Sequence, residues 1–131
     1  MHLQLKLLAV FLFFVSCFAA AEEYQVAPAA NWVKQHKLLI PEIPRDQIRD
    51  GTFYLMLDTQ FQVSEQAPQQ RFNRTVMQAV NQSGVDYISQ LNIDFDPNYQ
   101  SLTLNSLGII RDGQYIDKLN SAELQVLQRE T

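Results

Sequence analysis

The feature that most constrains the fold is a regular alternation of apolar and polar side chains from Thr52 to Val63. Successive side chains of a β-strand point to opposite faces, so a period of two residues predicts a half-buried strand. The chain therefore has to build at least one sheet. One side of this strand carries Phe53, Leu55, Leu57, Thr59, Phe61 and Val63, and the other carries Tyr54, Met56, Asp58, Gln60 and Gln62.

Three later segments extend the strand pattern. Val85–Phe95 alternates more cleanly still and predicts another strand. Ser101–Arg111 and Gln114–Leu119 flank Asp112-Gly113, a pair that favours a two-residue hairpin turn because both central residues of that turn need positive φ. The alternating apolar positions of the first segment are Val85, Tyr87, Leu91, Ile93 and Phe95.

The segment Gln70–Asn81 fits two periods, and periodicity alone leaves both open. Phe72, Val76, Ala79 and Val80 lie at helical spacing, yet Phe72, Val76 and Val80 also share one strand face. Taken as a strand, it brings the expected number to five strands, mostly antiparallel, with no internal repeat. The expected breaks are Ser64–Gln69, Ser83-Gly84, Asp96-Pro97-Asn98, and Asn120 with Glu123 as a candidate N-cap pair opening one helical turn.

Residues 1–21 are typical of a secretory signal peptide. Lys6 precedes an uninterrupted apolar run, Leu7–Val15, which is shorter than the roughly 20 residues of a membrane span. Ala19 and Ala21 supply the small residues that a cleavage site requires. We therefore expect a periplasmic or secreted product cleaved near Ala21. An alternative is a stand-alone lipoprotein anchored at Cys17, because Phe14-Val-Ser-Cys17 loosely resembles a lipoprotein box.

The composition of residues 22–131 limits the classes of function that we expect. The remaining 110 residues include 44 hydrophobic ones, which suits one globular domain without a transmembrane helix. The net charge moves from −4 to −5 because Lys6 is the only charged residue lost, and this domain lacks the basic face that nucleic acid requires. One histidine, His36, and no cysteine remain, so we expect no catalytic residue, no metal ligand and no cofactor.

Residues 22–50 predict an N-terminal arm ahead of a β-domain over residues 51–131. The arm contains Pro28, Pro41 and Pro44 and shows no sustained period. Asn31–His36 is a candidate short helix. Trp32 is the only tryptophan, and we expect it to plug the arm onto the domain, with an exposed ligand-stacking role as the alternative.

Some polar residues match ligand patterns in part. Asp94, Asp96 and Asn98 have the spacing of a calcium loop, but Pro97 intrudes and the turn glycine is missing, so a capped turn is favoured. Ser-His-Asp catalysis would have to combine His36 with Ser89 or Ser101, and acid–base catalysis would use Asp94 with Asp96 or Asp112 with Asp117. Turn formation already explains Asp96 and Asp112.

Surface residues offer two further alternatives. Arg71, Arg74 and Arg111 could form a small cationic spot, although solvated sheet positions are the simpler interpretation. Tyrosines on a sheet can recognise protein, peptide or glycan, but a half-buried structural role is favoured. The tyrosines on or beside predicted strands are Tyr54, Tyr87, Tyr99 and Tyr115. The glycosylation-like triplets Asn73-Arg-Thr75 and Asn81-Gln-Ser83 are interpreted as chance.

An ordered string of motifs resembles a known family. The string comprises Asp94-Phe-Asp-Pro-Asn-Tyr-Gln100, the strand Leu102-Thr-Leu104, the hairpin Ile110-Arg-Asp-Gly113 and the ending Gln128-Arg-Glu130. It is similar to a bacterial domain of unknown function that sits, after a signal peptide, in front of a transglutaminase-like domain of the papain type. The resemblance covers about Asp50 to Thr131, which is most of the mature chain.

The resemblance implies a mainly β, antiparallel, β-sandwich-like fold, and it favours a strand for Gln70–Asn81. It implies a non-catalytic scaffold or binding module whose partner is a downstream transglutaminase-like domain. Because the family domain runs beyond the Gln-Arg-Glu ending, we expect this copy to be incomplete at its C-terminus. The alternative is that the chain is the front portion of a papain-type acyl-transfer enzyme or protease whose catalytic Cys, His and Asp lie beyond Thr131.

Overall fold

The computed structural model describes residues 24–127. The predicted leader with Cys17, and the ending Gln128–Glu130, lie outside the described residues. Within the described range the chain forms strands, one α-helix and a 3₁₀ helix at Arg45–Gln47. The elements are β1 (Tyr24–Val26), β2 (Thr52–Gln62), β3 (Gln70–Ala79), α1 (Gln82–Ile88), β4 (Leu102–Leu104), β5 (Gly108–Arg111) and β6 (Gln114–Asp117).

The strands of residues 24–127 pair into three small sheets, each of two strands. β2 with β3 and β5 with β6 are antiparallel, whereas β1 with β4 is parallel. The predicted fold class, mainly β with antiparallel pairing, is confirmed in this form: mostly strands, one helix and small antiparallel sheets. These strands close no barrel.

The β2–β3 hairpin is the largest sheet, and both of its strands agree with the sequence. The alternating run from Thr52 becomes β2, and the ambiguous segment from Gln70 becomes β3. A β-bulge between Tyr54 and Met56 shifts the register. Because a bulge places two residues of one strand opposite one of its partner, it exchanges the faces of the residues on either side of it. The predicted grouping of Phe53 with Leu57 on one side is therefore wrong.

The bulge defines two faces of this sheet, which we name by what lies against them. The arm face carries Phe53, Met56, Asp58, Gln60, Gln62, Gln70, Phe72, Arg74, Val76 and Gln78. The open face carries Tyr54, Leu57, Thr59, Phe61, Arg71, Asn73, Thr75 and Met77.

The arm follows the arm face and is attached to it by polar contacts. The Gln60 side chain donates to the Lys34 carbonyl and accepts from the Lys34 amide, both at 2.8 Å. Trp32 Nε1 donates to Gln70 Oε1 at 2.8 Å, and Arg74 Nη1 donates to the His36 carbonyl at 3.1 Å. Trp32 thus joins the arm to the sheet.

The arm itself differs from the expected structure at Asn31–His36. No helix forms there; a single turn closes with the Val33 amide donating to the Ala30 carbonyl at 3.0 Å. The physical reason is that the backbone of Lys34 bonds to a side chain of the sheet, and that of His36 accepts from Arg74, so these groups have tertiary partners instead of helical ones. Val33, at 9% exposure, is the buried hydrophobic residue of the described range.

The predicted strand Val85–Phe95 is wrong. Its first half belongs to α1, which begins after Asn81, whose Oδ1 accepts the Gly84 amide at 3.0 Å. An Asn at this position satisfies a helix N–H that otherwise lacks a partner, so it favours a helix start over continued extension. Gly84 is buried against Gly51, which brings α1 to the end of the sheet where β2 begins and β3 ends. Residues 91–96 form no ladder with the described chain.

The C-terminal hairpin forms as predicted around Asp112-Gly113, whose φ values are 52° and 75°. The expected strand Ser101–Arg111 is split into β4 and β5 by the segment at residues 105–107. The Tyr115 ring lies against Gly108, so a Cβ at this position would require that exposed ring to move. After β6, residues 119–121 form a turn, and the helical turn expected from Asn120 and Glu123 is absent from the described chain.

Candidate functional site

An apolar cleft lies between the parallel β1–β4 pair and the segments that flank it in space. Tyr24 and Leu102 are register partners at its base, and Leu104 stands two residues further along the same face of β4. Leu91, Ile93 and Phe95 share the lining, which explains the alternation seen in the sequence even though no ladder forms there. The remaining lining residues are Glu123, Leu124, Gln125 and Val126.

The size and lining of this cleft limit what it can hold. Its volume is about 140 Å³. Pockets for drug-sized ligands occupy about 300–1,000 Å³, so this cleft suits one large apolar side chain at a time. Glu123 and Gln125 place polar groups at its margin, where they could meet the backbone of an extended peptide.

The polypeptide around the cleft is held by short-range bonds. Asn105 Nδ2 donates to the Ala27 carbonyl at 2.9 Å, which extends the β1–β4 pairing past the strand ends. The Lys118 carbonyl accepts the Ala122 amide at 2.8 Å and so directs the chain toward the segment 123–126. Sequence reasoning missed this cleft; the signal that could have found it is the apolar alternation of residues 91–95 repeated in Leu102-Thr-Leu104.

A second concave surface lies where the arm passes the end of β3. It is a shallow groove of about 580 Å³. Glu42, Arg45 and Asp46 mix charges of both signs around apolar Ile40 and Ile43, with Pro41 and Gln78 completing the lining. Such a mixed, open surface offers no concentrated charge for a single class of ion.

Tyr54 and Tyr87 are the ionisable pair that the fold creates. Tyr54 lies on the open face of β2, Tyr87 lies on α1, and their side chains share a hydrogen bond. That bond, followed by electrostatic repulsion from Tyr87 and by desolvation, raises the pKa of the Tyr54 phenol above its ordinary value of 10.0. The pair bridges β2 and α1 at the protein surface.

Asp96 and Asn98 form the capped turn that was favoured over a calcium loop. Asp96 Oδ1 accepts the Asn98 amide at 2.9 Å, and the Asp96 amide donates to Gln100 Oε1 at 2.8 Å. Over residues 24–127, no three His, Cys, Asp or Glu side chains gather where they could hold a metal ion.

The residues considered for catalysis have separate structural partners. Ser89 donates to the Asp86 carbonyl at 2.7 Å, while His36 stays exposed on the arm. Asp112 occupies the hairpin tip, and Asp117 Oδ1 accepts the Leu119 amide at 2.8 Å at the other end of β6. These contacts give the candidate nucleophile and carboxylates roles in turns and helix ends.

The arginines and tyrosines considered as surface binding residues lie on different parts of the fold. Arg71 lies on the open face and Arg74 on the arm face, so the cationic spot considered as an alternative does not form between them. The four tyrosines singled out from the sequence are exposed, so the half-buried role favoured for them is wrong, and Tyr87 lies on a helix instead of a strand. Asn73 accepts from Thr59 Oγ1 at 3.1 Å and Asn81 caps α1, which gives both glycosylation-like asparagines structural roles.

Among residues 24–127, no helix has the length and apolarity needed to cross a membrane. A search of curated proteins found no match, and a search of solved structures found none either. A family described as a domain of unknown function with solved structure, DUF3857, matches residues 66–131. The matched stretch runs from the β2–β3 loop through the capped turn, the cleft and the Asp-Gly hairpin. The chain therefore belongs to the DUF3857 family of domains of unknown function.

Proposed function

We propose that the chain is an exported, non-catalytic β-domain that serves as the N-terminal scaffold or binding module of a transglutaminase-like protein. The observation that carries this proposal is the apolar cleft lined by Leu91, Ile93, Phe95, Leu102 and Leu104. A cleft of this kind takes an apolar side chain from a partner, and the polar residues at its edge set the direction of the bound backbone.

The distribution of apolar side chains supports a role in contact. Within the described residues Val33 is the buried hydrophobic one, and many large apolar side chains stay exposed. Exposed apolar side chains that lie together mark sites of protein association, and those that line the cleft are adjacent in space. The motif string of the C-terminal half adds the resemblance to domains that precede a transglutaminase-like domain. The proposed location is the periplasm or the exterior of a bacterial cell, after cleavage near Ala21.

The first test is the nucleotide sequence downstream of Thr131. An open reading frame encoding a papain-type domain with Cys, His and Asp supports the module and allows the parent protein to be an acyl-transfer enzyme or protease. An immediate stop codon removes the transglutaminase-like partner from the proposal. Intact mass of the exported product then separates cleavage before Glu22 from a heavier, lipidated form that retains Cys17.

The second test addresses binding at the cleft. The encoded transglutaminase-like domain, added to the isotope-labelled chain, should shift the amide resonances of residues 91–95 and 102–104 in a saturable manner. Ile93→Glu, which places a charge in the cleft, should weaken this binding at least tenfold. Leu39→Glu, a charge at an exposed apolar position on the arm, is the matched control and should bind normally. Equal loss in both variants, or no saturable shift, contradicts the proposal.

A further inference from the structure

The outer edge of β2 is uncovered in the described structure. β2 is an 11-residue strand whose described partner is β3 alone, so its other edge presents a row of backbone N–H and C=O groups. The arm hydrogen-bonds to the sheet at Gln60 and at the β3 residues Gln70 and Arg74, and within the described residues it forms no ladder with β2.

The two edges of the hairpin differ in charge. β3 carries Arg71 and Arg74, and charged side chains are a common device that keeps an edge strand from pairing. β2 carries one charged residue, Asp58, whose carboxylate accepts from Gln60 Nε2 at 3.0 Å. The bulge lies near the start of β2 and leaves residues 56–62 regular. The β2 edge is thus the one that remains able to pair.

Apolar side chains border the same edge. Leu57 and Phe61, on the open face of β2, are 70% and 57% exposed, and Val63 just beyond the strand is 77% exposed. Their register partners on β3 are polar, with Thr75 opposite Leu57 and Arg71 opposite Phe61. The apolar stripe therefore has no apolar neighbour on β3, and a strand added at the β2 edge would place side chains beside it on the open face.

We propose that the occupant of this edge is a second copy of the chain, paired antiparallel through β2 about a two-fold axis at Thr59. In that register Leu57 stands opposite Phe61 of the partner subunit, so the exposed apolar residues of the two copies meet each other. An axis at Asp58 would instead oppose two carboxylates, and an axis at Gln60 would set Phe61 against a threonine. Two-fold symmetry is the commonest symmetry of soluble oligomers, and it makes each favourable cross-strand pair occur twice.

The resulting sheet has four strands in the order β3-β2-β2-β3, and its central edges are no longer exposed. The two-fold axis produces two apolar–aromatic cross-strand pairs, and each of them stabilises the contact. This inference does not depend on the proposed function, because the β2 edge and the cleft use different residues.

The test is the oligomeric state of the purified chain, measured by light scattering over a range of concentrations. We expect a dimer, and Thr59→Lys should raise the dissociation constant at least about fivefold because it places two like charges opposite each other at the axis. Thr75→Lys, the same substitution at an exposed open-face position of β3, should leave the dimer unchanged. A monomeric chain, or equal effects of the two variants, overturns the proposal.

Cross-linking tests the register. In a Cys17→Ser background, Thr59→Cys should form a disulfide-linked dimer on mild oxidation, since the axis places the two residues side by side. Thr75→Cys in the same background should stay monomeric on a non-reducing gel. Preferential cross-linking through Thr75 would show that the copies meet elsewhere.

Discussion

The two faces of the β2–β3 sheet both mix apolar and polar side chains, but the arm lies against only one of them. The arm face carries Asp58, Gln60 and Arg74, and it is the face against which the arm lies. The open face carries Leu57 and Phe61, and those side chains stay exposed. Hydrogen bonds between side chains and the arm backbone attach the arm to a face that also carries the half-buried Phe72 and Val76, while those apolar side chains of the open face stay exposed.

The arm and helix α1 are attached to the sheet in two different ways. The arm is attached through polar bonds such as the pair between Gln60 and Lys34. Helix α1 is attached at the end of the sheet by close backbone packing of Gly84 against Gly51, together with the Tyr54–Tyr87 hydrogen bond. Close packing tolerates no added atom, whereas a polar attachment on an exposed surface can be replaced in part by water.

The largest effect should come from the packed attachment. A Cβ at Gly84 would overlap the Gly51 carbonyl, and Ala79 Cα would lie 3.2 Å from it. Gly84→Ala should therefore lower the free energy of unfolding by about 2–3 kcal/mol, measured by urea denaturation. Ser83→Ala, at an exposed position of the same helix, is the control and should change it little. A Gly84→Ala variant as stable as Ser83→Ala would contradict the close packing.

The polar attachment should give a smaller loss. Gln60→Ala removes both bonds to the Lys34 backbone and should cost about 1–2 kcal/mol, because each bond contributes about 0.5–1.5 kcal/mol. Hydrogen exchange at the Lys34 amide should be faster in this variant, because the amide has lost its acceptor. Gln62→Ala, on the same face of β2 and exposed, should leave that amide protected. Unchanged exchange at Lys34 in Gln60→Ala would mean that other contacts hold the arm.

The helix cap should contribute about as much as one good hydrogen bond. Asn81→Ala leaves the Gly84 amide without its side-chain acceptor. The free energy of unfolding, measured by thermal denaturation, should fall by about 1 kcal/mol. Asn81→Asp keeps an acceptor oxygen at the cap and should restore most of the loss. If the Asp variant is no better than the Ala variant, the cap does not explain the helix start.

The smallest effect concerns alkaline pH. The folded state raises the pKa of Tyr54 above 10.0, so folding holds that proton more tightly than the unfolded chain does. The resulting stabilisation is present below pH 10 and is lost as the pH rises through the folded pKa. Tyr54→Phe should therefore flatten the decline of stability above pH 10, whereas Tyr99→Phe should leave it in place. Ultraviolet titration of the phenols provides the direct measurement.

Local sequence signals predicted the elements whose determinants lie within a few residues. The alternation from Thr52 to Gln62 produced β2, Asp112-Gly113 produced the hairpin turn, and Asp96 with Asn98 produced the capped turn. The family resemblance favoured a strand for Gln70–Asn81, and the strand that forms is Gln70–Ala79. Each of these features follows from backbone preference or from hydrogen bonds that close over four residues or fewer.

The misinterpreted segments depend on contacts far along the chain. The alternation of residues 85–95 predicted a strand where α1 forms. The Asn81 cap and the packing of Gly84 on Gly51 favour the helix, and the alternation does not report either contact. The helix expected at Asn31–His36 gave way to bonds with side chains 26 and 38 residues away. The cleft was missed because its walls come from β1, β4 and two separate segments.

The sequence by itself determined that this protein is mainly β, and it located β2, the Asp112-Gly113 hairpin and the turn at Asp96-Pro97-Asn98, because side-chain alternation and turn chemistry act over a few neighbouring residues. The tertiary structure decided which face each side chain occupies, since one bulge next to Leu55 exchanges the faces of Phe53 and Tyr54 relative to Leu57. It also decided which face the arm covers. Both outcomes depend on pairing between strands and on long-range hydrogen bonds, whose partners no local pattern specifies.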